Sequence, residues 1–554
     1  MSRVYLSPGV YVKEKDISDL IPAVATTSAA LVGYSKKGDL GLTLITNSQQ
    51  FISHFGEPTP GNYFHYTALA FLEQGNTLWC RRVRNSNNST LYAGANIKED
   101  GSANPNAAFA AGTVDKTEAY CCDSLETDTL FCIFARNPGE WGNRISVKVK
   151  NVVQTYYLDL NGDVDFTRAA DVTDQYTFEI EVWWENDDGV DEKVETWKVS
   201  RKTKIDGNGI QLYLEDRINE YSDYIWVVDN PYMVDTELPK PDTTAFNLGG
   251  GADGDTPGAG DYVTAWGDFE NPDNIDIRIL LNGGLTALAV QNEMKRIAEA
   301  RMDCIAILDM PYTQISSVSN MINWRNATQN INSSYTALYA PWVKMHDPYS
   351  DKVVEVPPSG YIGAQFAYND YVSDVWYAPA GFNRGQLNIL SITSVFTQGE
   401  RDNLYESQIN PLQTFRGQGN VIWGQRTQQW KRSALSSVNV RRLLIIIEKA
   451  LAVALRSFAF EPNSELTRFR VVSMIEEYMD TLSAAGAFQT EGGDKGYAVV
   501  CDENNNTPAI IDSNELHVDL FVKPSRAAEF IQLQTIITST GASFEELVAK
   551  GVMF

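Results

Sequence analysis

Residues 439–460, NVRRLLIIIEKALAVALRSFAF, decide how this chain is read. Their periodicity predicts a helix. At 100° per residue, Arg441, Arg442, Lys449 and Arg456 fall within one arc of about 100°. Leu443, Leu444, Ile446, Ile447, Leu451, Ala454, Leu455 and Phe458 occupy the opposite side. Arg426 to Arg456 also holds Arg426, Lys431 and Arg432, against the single acid Glu448, on a chain of formal net charge −26. One side of the helix suits a core, and the other suits something negative. Two readings stay open: a docking rail for an acidic partner, or a solvated face balanced by acids of the same subunit, with Glu448, Glu476 and Glu477 as candidates.

Outward from this helix, 554 residues are too many for one core and imply several domains. A hydrophobic content of 43% with 21% charged residues excludes wholesale disorder. Excess acid argues against a nucleic-acid binder, which needs cations over a whole surface. From Asn151 to Gly260 there are 24 acidic and 8 basic residues, so that segment is expected to face solvent. The cysteines, Cys80, Cys121, Cys122, Cys132, Cys304 and Cys501, lack metal-site spacing and are too sparse for a disulfide scaffold. A reducing compartment suits them. Neither a signal run nor a membrane span is indicated, because Glu448 and Lys449 interrupt the greasiest stretch.

In chain order, residues 1–22 read as an extended arm with a turn at Pro8-Gly9. Residues 23–92 read as an α/β unit contributing to a sheet completed much later in the chain. Residues 93–265 read as an acidic insertion of antiparallel strands, RISVKVK, YTFEIEVWW, EKVETWKVS and YIWVV, between the turns DLNGD, ENDDG and IDGNG. GGGADGD at 249–255 lacks the lysine and hydroxyl of a phosphate loop and is expected to be a flexible crossing. Residues 266–417 alternate strands and helices as a parallel α/β domain does. A closing domain, 418–528, contains the basic helix, a second helix stopped near Gly486, and the strands GYAVVCDE and ELHVDLFVKP. Residues 529–554 form a C-terminal arm and tail.

Catalytic chemistry is missing from the pattern. His54, His65, His346 and His517 carry no HExxH spacing and read as structural. DENNN at 502–506 before Thr507-Pro508 reads as a turn in preference to a cation site. No cofactor is expected.

Five segments, taken in order, resemble the contractile-tail sheath proteins of long-tailed bacterial viruses: SPGVYVKEKD (7–16), WGQRT (423–427), VNVRRLLIIIEKAL (438–451), FEPNSELTRFRV (460–471) and CDENNNTP (501–508). The motif positions are Pro8, Gly9, Trp423, Gly424, Pro462, Asn463, Asn505, Asn506 and Pro508. The resemblance covers the arm and the C-terminal third strongly, the α/β middle moderately and the insertion hardly at all. It implies a subtilisin-like α/β middle domain without protease activity, a C-terminal α/β sheath core domain, and an inserted antiparallel β-rich outer domain. It further implies a homo-oligomer of stacked hexameric rings in a six-start helix around an inner tail tube. Contraction of that sleeve drives the tube through the host envelope for genome delivery. Implied partners are the tail tube protein, baseplate proteins and tail terminator or neck proteins, with no direct nucleic-acid contact and no membrane insertion. The implied location is the virion tail, assembled in the host bacterial cytoplasm.

On this reading Arg441, Arg442, Lys449 and Arg456 contact the tube, and Tyr5, Val10, Val12, Phe530, Leu533 and Ile536 lie in strands added to neighbouring subunits. The rivals are an α/β hydrolase-like enzyme and a static capsid or baseplate protein.

Overall fold

The computed structural model describes residues 27–529 apart from 88–90, 101, 105–108, 111–128, 169–173, 187–188, 243 and 491. Tyr5, Pro8, Gly9, Val10, Val12, Phe530, Leu533 and Ile536 therefore lie outside the described residues. The chain divides into two compact units, Met1–Ile475 and Glu476–Phe554, and the division falls inside the helix Glu465–Ala484.

The first unit is built on a nine-stranded sheet. From one edge its order is Leu42–Ile45, Leu78–Val83, Ala29–Tyr34, Ile279–Leu281, Ile305–Asp309, Thr336–Ala340, Ile409–Phe415, Gly419–Ile422 and Gln386–Leu387. The six strands from Leu78–Val83 to Ile409–Phe415 are parallel, with antiparallel strands added at both edges. Ala29 pairs with Ile279, so the early and late α/β segments complete one sheet, as expected.

Successive side chains of a strand alternate between faces, and here both faces are covered. Leu31, Ile279, Leu281, Ile305 and Ile307 enter one core with Phe64, Phe71 and Phe366. Ala30, Val32, Leu280, Ala306 and Leu308 enter the other with Trp266, Met294 and Ile297. Burial on both sides is why these strands read as apolar runs without polar alternation. On the first face the helices Tyr63–Leu72 and Ser359–Val372 cross closely. A Cβ at Gly360 would lie 2.5 Å from the Thr67 carbonyl oxygen, so glycine sets this approach.

The insertion leaves after Leu78–Val83 and returns at the helix Ala259–Gly267. It holds two four-stranded sheets: Asp191–Val199, Thr177–Glu185, Ile145–Val153 and Phe246–Asn247 in one, and Ile225–Asp229, Thr129–Ala135, Gly94–Lys98 and Ala103–Asn104 in the other. Residues of both share a core that includes Phe131, Ile133, Val147, Phe178, Ile180 and Val227. The four strands read from the sequence fall where expected.

One expectation about the insertion is corrected. The 249–255 segment is no flexible crossing: Gly94 and Leu91 pair with Gly249 and Ala252, Asn143 exchanges two hydrogen bonds with the Gly251 backbone, and Asp253 accepts from the Glu140 amide. The insertion is also tied to the body. The buried Arg82 guanidinium donates to the carbonyls of Ser35, Lys36 and Gly38 in the body and of Pro138 in the insertion, at 2.7–3.0 Å. Lys37 reaches the Ser53 carbonyl at 2.8 Å while its ammonium sits 5.2–5.8 Å from the Trp141, Trp184 and Tyr224 ring centres, a cation–π arrangement.

In the second unit, Tyr497–Val500 and Asp519–Val522 pair antiparallel as a two-stranded sheet. The helix ends at Ala484, with Gly486 at φ 85°, the left-handed stop that glycine favours.

Candidate functional site

The basic helix spans Val438–Leu455, followed by a 3-10 turn, Arg456–Phe458. Its entry is pinned by the Val438 amide on the Gln425 carbonyl and by Asn439 Nδ2 on the Trp376 carbonyl. The preceding WGQRT segment needs its glycine: a Cβ at Gly424 would stand 2.9 Å from Asn410 Oδ1. Trp423 closes an aromatic trio with Phe382 and Phe415.

The first half of the helix is buried nearly all round, with Val438 and Ile445 in the sheet core. The two-sided wheel therefore does not describe it. Arg442 Nη2 donates to Asp370 Oδ2 at 2.6 Å, and these side chains are only 5% and 2% exposed. The guanidinium also lies 4.6 Å from the Phe366 ring centre. Arg441, likewise buried, pairs with Glu448 at 3.3 Å and stacks 4.2 Å from the Tyr335 ring centre. Burial pushes the Glu448 carboxyl up, and Arg441 opposes the shift. Planar guanidinium groups tolerate such places because they stack and pair at once. Arg441 and Arg442 are thus removed from the proposed open rail. For Arg441 the partner is Glu448, one of the candidates in its own subunit; for Arg442 it is Asp370, which lies 72 residues away.

The second half of the helix meets a turn at the start of the sheet. Lys449 Nζ lies 3.0 Å from Asp303 Oδ2 and 3.7 Å from Asp276 Oδ1. Asp303 also receives two of the Arg301 bonds, and Arg278 lies nearby. Arg456 reaches Asp273 at 3.0 Å, with the two side chains 68% and 71% exposed. Of the four cations, only Arg456 presents most of its side chain to solvent.

The remaining motif residues have structural work. Asn463 accepts from Arg468, and the Pro462 carbonyl accepts from the Ser464 amide, just before the helix Glu465–Ala484. In the second unit, buried Asn506 exchanges bonds with the His517 backbone, accepting from its amide and donating to its carbonyl. Asn505 donates to the Val500 carbonyl and to Asp519, and Pro508 opens the helix Pro508–Asp512. CDENNNTP is accordingly the turn that holds the two-stranded sheet together.

The hydrolase rival meets filled positions. Asp309 ends a parallel strand, where α/β enzymes place their chemistry. It is fully buried and accepts from the Gly284 amide, the Ser359 amide and Ser359 Oγ at 2.7–2.9 Å. Burial pushes its carboxyl up to about 6. His65 Nε2 lies 3.4 Å from Ser35 Oγ but 3.1 Å from the Phe55 carbonyl, which can only accept. Nε2 therefore carries the proton and cannot take one from Ser35. Burial pushes this histidine down to about 4. Among the described residues no group of three or more His, Cys, Asp or Glu side chains could hold a metal, and no helix is long and apolar enough to cross a membrane.

Comparison with known proteins agrees with this arrangement. Residues 255–428 match the phage tail sheath protein central domain, and residues 431–538 match the phage tail sheath C-terminal domain. The tail sheath protein of Vibrio phage KVP40 is 29% identical over 489 residues, covering 80% of this chain and 70% of that protein. The tail sheath protein of Enterobacteria phage T4 is 32% identical over 309 residues, covering 52% of this chain and 46% of that one. In fold, the sheath tail protein from Listeria innocua superposes with a TM-score of 0.55 at 11% identity, covering 91% of this chain and 96% of that chain. With its multidomain α/β architecture and inserted β-rich region, the chain belongs to the phage tail sheath protein family and is a structural sheath subunit of a contractile tail.

Proposed function

We propose that this subunit polymerises as stacked hexameric rings in a six-start helix around the tail tube, joined by terminal arms that add strands to neighbouring subunits. Contraction of that lattice drives the tube through the host envelope for genome delivery. The observation that carries this reading is the two-stranded sheet of the second unit. Among the described residues Tyr497–Val500 and Asp519–Val522 pair only with each other in that sheet, and Phe521 is 59% exposed on it. Two strands alone are marginal in water, and an open edge accepts an extended segment through backbone bonds whatever its sequence. Tyr5, Val10 and Val12 at one end of the chain, and Phe530, Leu533 and Ile536 at the other, supply such segments.

In this scheme the central sheet is a subtilisin-like domain turned to scaffolding, and the acidic insertion faces outward. Baseplate proteins and tail terminator or neck proteins close the two ends of the sleeve, which is assembled in the host cytoplasm. Tube contact falls to Lys449 and Arg456, because Arg441 and Arg442 are buried. Deleting residues 1–15 tests the arm assignment. The expected result is unchanged circular dichroism and no long cylinders by electron microscopy; regular full-length cylinders would refute it.

A further inference from the structure

The turn at 271–276, NPDNID, lies beside the cationic end of the basic helix and supplies two acids to it. Asp273 takes Arg456, and Asp276 shares Lys449 with Asp303. The turn is held in place. Ile275 is buried in the core, its carbonyl accepts from Arg301 at 2.9 Å, and Asn271 Oδ1 accepts from the Asp273 amide at 3.0 Å. Asp276 is additionally fixed by Arg278 at 2.7 Å. Two exposed carboxylates are thus presented at a set position, against the two cations at the end of the basic helix.

We propose that this turn is an electrostatic shield. In the free subunit Asp273 and Asp276 pair with Arg456 and Lys449 and offset their charge. On assembly the carboxylates of an acidic protein surface take their place. Exposed ion pairs are weak and exchangeable, so such an exchange costs little while suppressing premature association with other acidic surfaces. Buried Asp303 stays with Lys449 throughout and keeps the lysine aimed at the same spot. The partner's identity as the tail tube rests on the function proposed above; the shield itself rests on the ion pairs.

The test uses the full-length protein and fluorescently labelled poly-L-glutamate at low salt. D273N/D276N is expected to bind roughly threefold or more tightly than wild type, with the gain lost at high salt as exposed charges are screened and abolished by adding R456E. D273N alone leaves the Asp276–Arg278 pair intact and is expected to give a smaller gain, so it serves if the double variant fails to fold. Unchanged affinity in a folded variant, or a gain that survives R456E, overturns the shield. Tighter polyglutamate binding with no change in the salt resistance of sheaths on purified tubes upholds the shield and removes the tube as its partner.

Discussion

Replacing Arg442 by Met separates a structural cation from a docking one. The Arg442–Asp370 pair is buried, and methionine keeps most of the packing against Phe366 while deleting the charge. What remains is a carboxylate, itself 2% exposed, that has lost its guanidinium. Breaking a buried pair by removing one member costs about 3–5 kcal/mol, a large share of the roughly 5–15 kcal/mol that holds a typical domain folded. The same logic at Arg456, whose pair is open to water, gives about 1 kcal/mol or less. The assay is urea unfolding followed by tryptophan fluorescence, with Trp266, Trp324 and Trp342 buried in the sheet core as reporters. R442M is expected to lower the midpoint strongly, R456M hardly at all, and R442M/D370L to recover part of the loss because the buried carboxylate is gone. A folded R442M within about 1 kcal/mol of wild type that nevertheless fails to bind tubes would refute the burial argument and return Arg442 to the docking face.

Two further outcomes follow from the sheet. Gly360→Ala drives a methyl into the Thr67 backbone where two helices cross, and overpacking of this kind costs about 1–3 kcal/mol; a lowered thermal midpoint with retained secondary structure is expected. Asp309, raised to about 6 by burial, binds its proton more tightly folded than unfolded. Its contribution to stability is therefore greatest at low pH and is lost as pH rises through about 4 to 6. Relative to wild type, D309N should gain up to about 3 kcal/mol between pH 4 and pH 7, at about 1.4 kcal/mol per pH unit. A difference that does not change with pH would contradict this.

Whatever depends on near neighbours could be read along the chain. The insertion strands were legible where apolar and polar residues alternate in sequence, as in Val147, Lys148, Val149 and Lys150 and in Phe178, Glu179, Ile180 and Glu181. The basic helix was legible from its period, the stop at Gly486 from the conformational freedom of glycine, and the DENNN turn from side chains that cap their own backbone. The family was legible from motifs whose order survives along the chain. The 249–255 segment was misread because its glycines look flexible in isolation, whereas their close approaches belong to distant partners. A Cβ at Gly251 would stand 2.5 Å from the Gly139 carbonyl oxygen.

The pairing of the cations depends on packing between distant parts of the chain. The partners of Arg442, Lys449 and Arg456 lie 72, 146 and 183 residues away, on the helix Ser359–Val372, beside the strand Ile305–Asp309, and in the 271–276 turn. A helical wheel sorts residues by direction around one axis and carries no information about what stands opposite. Two arginines on the same arc as Lys449 and Arg456 are buried because the sheet core and the helix Ser359–Val372 close over the first half of the helix and not the second. Burial is set by the sum of all packed elements, which one segment's sequence does not contain.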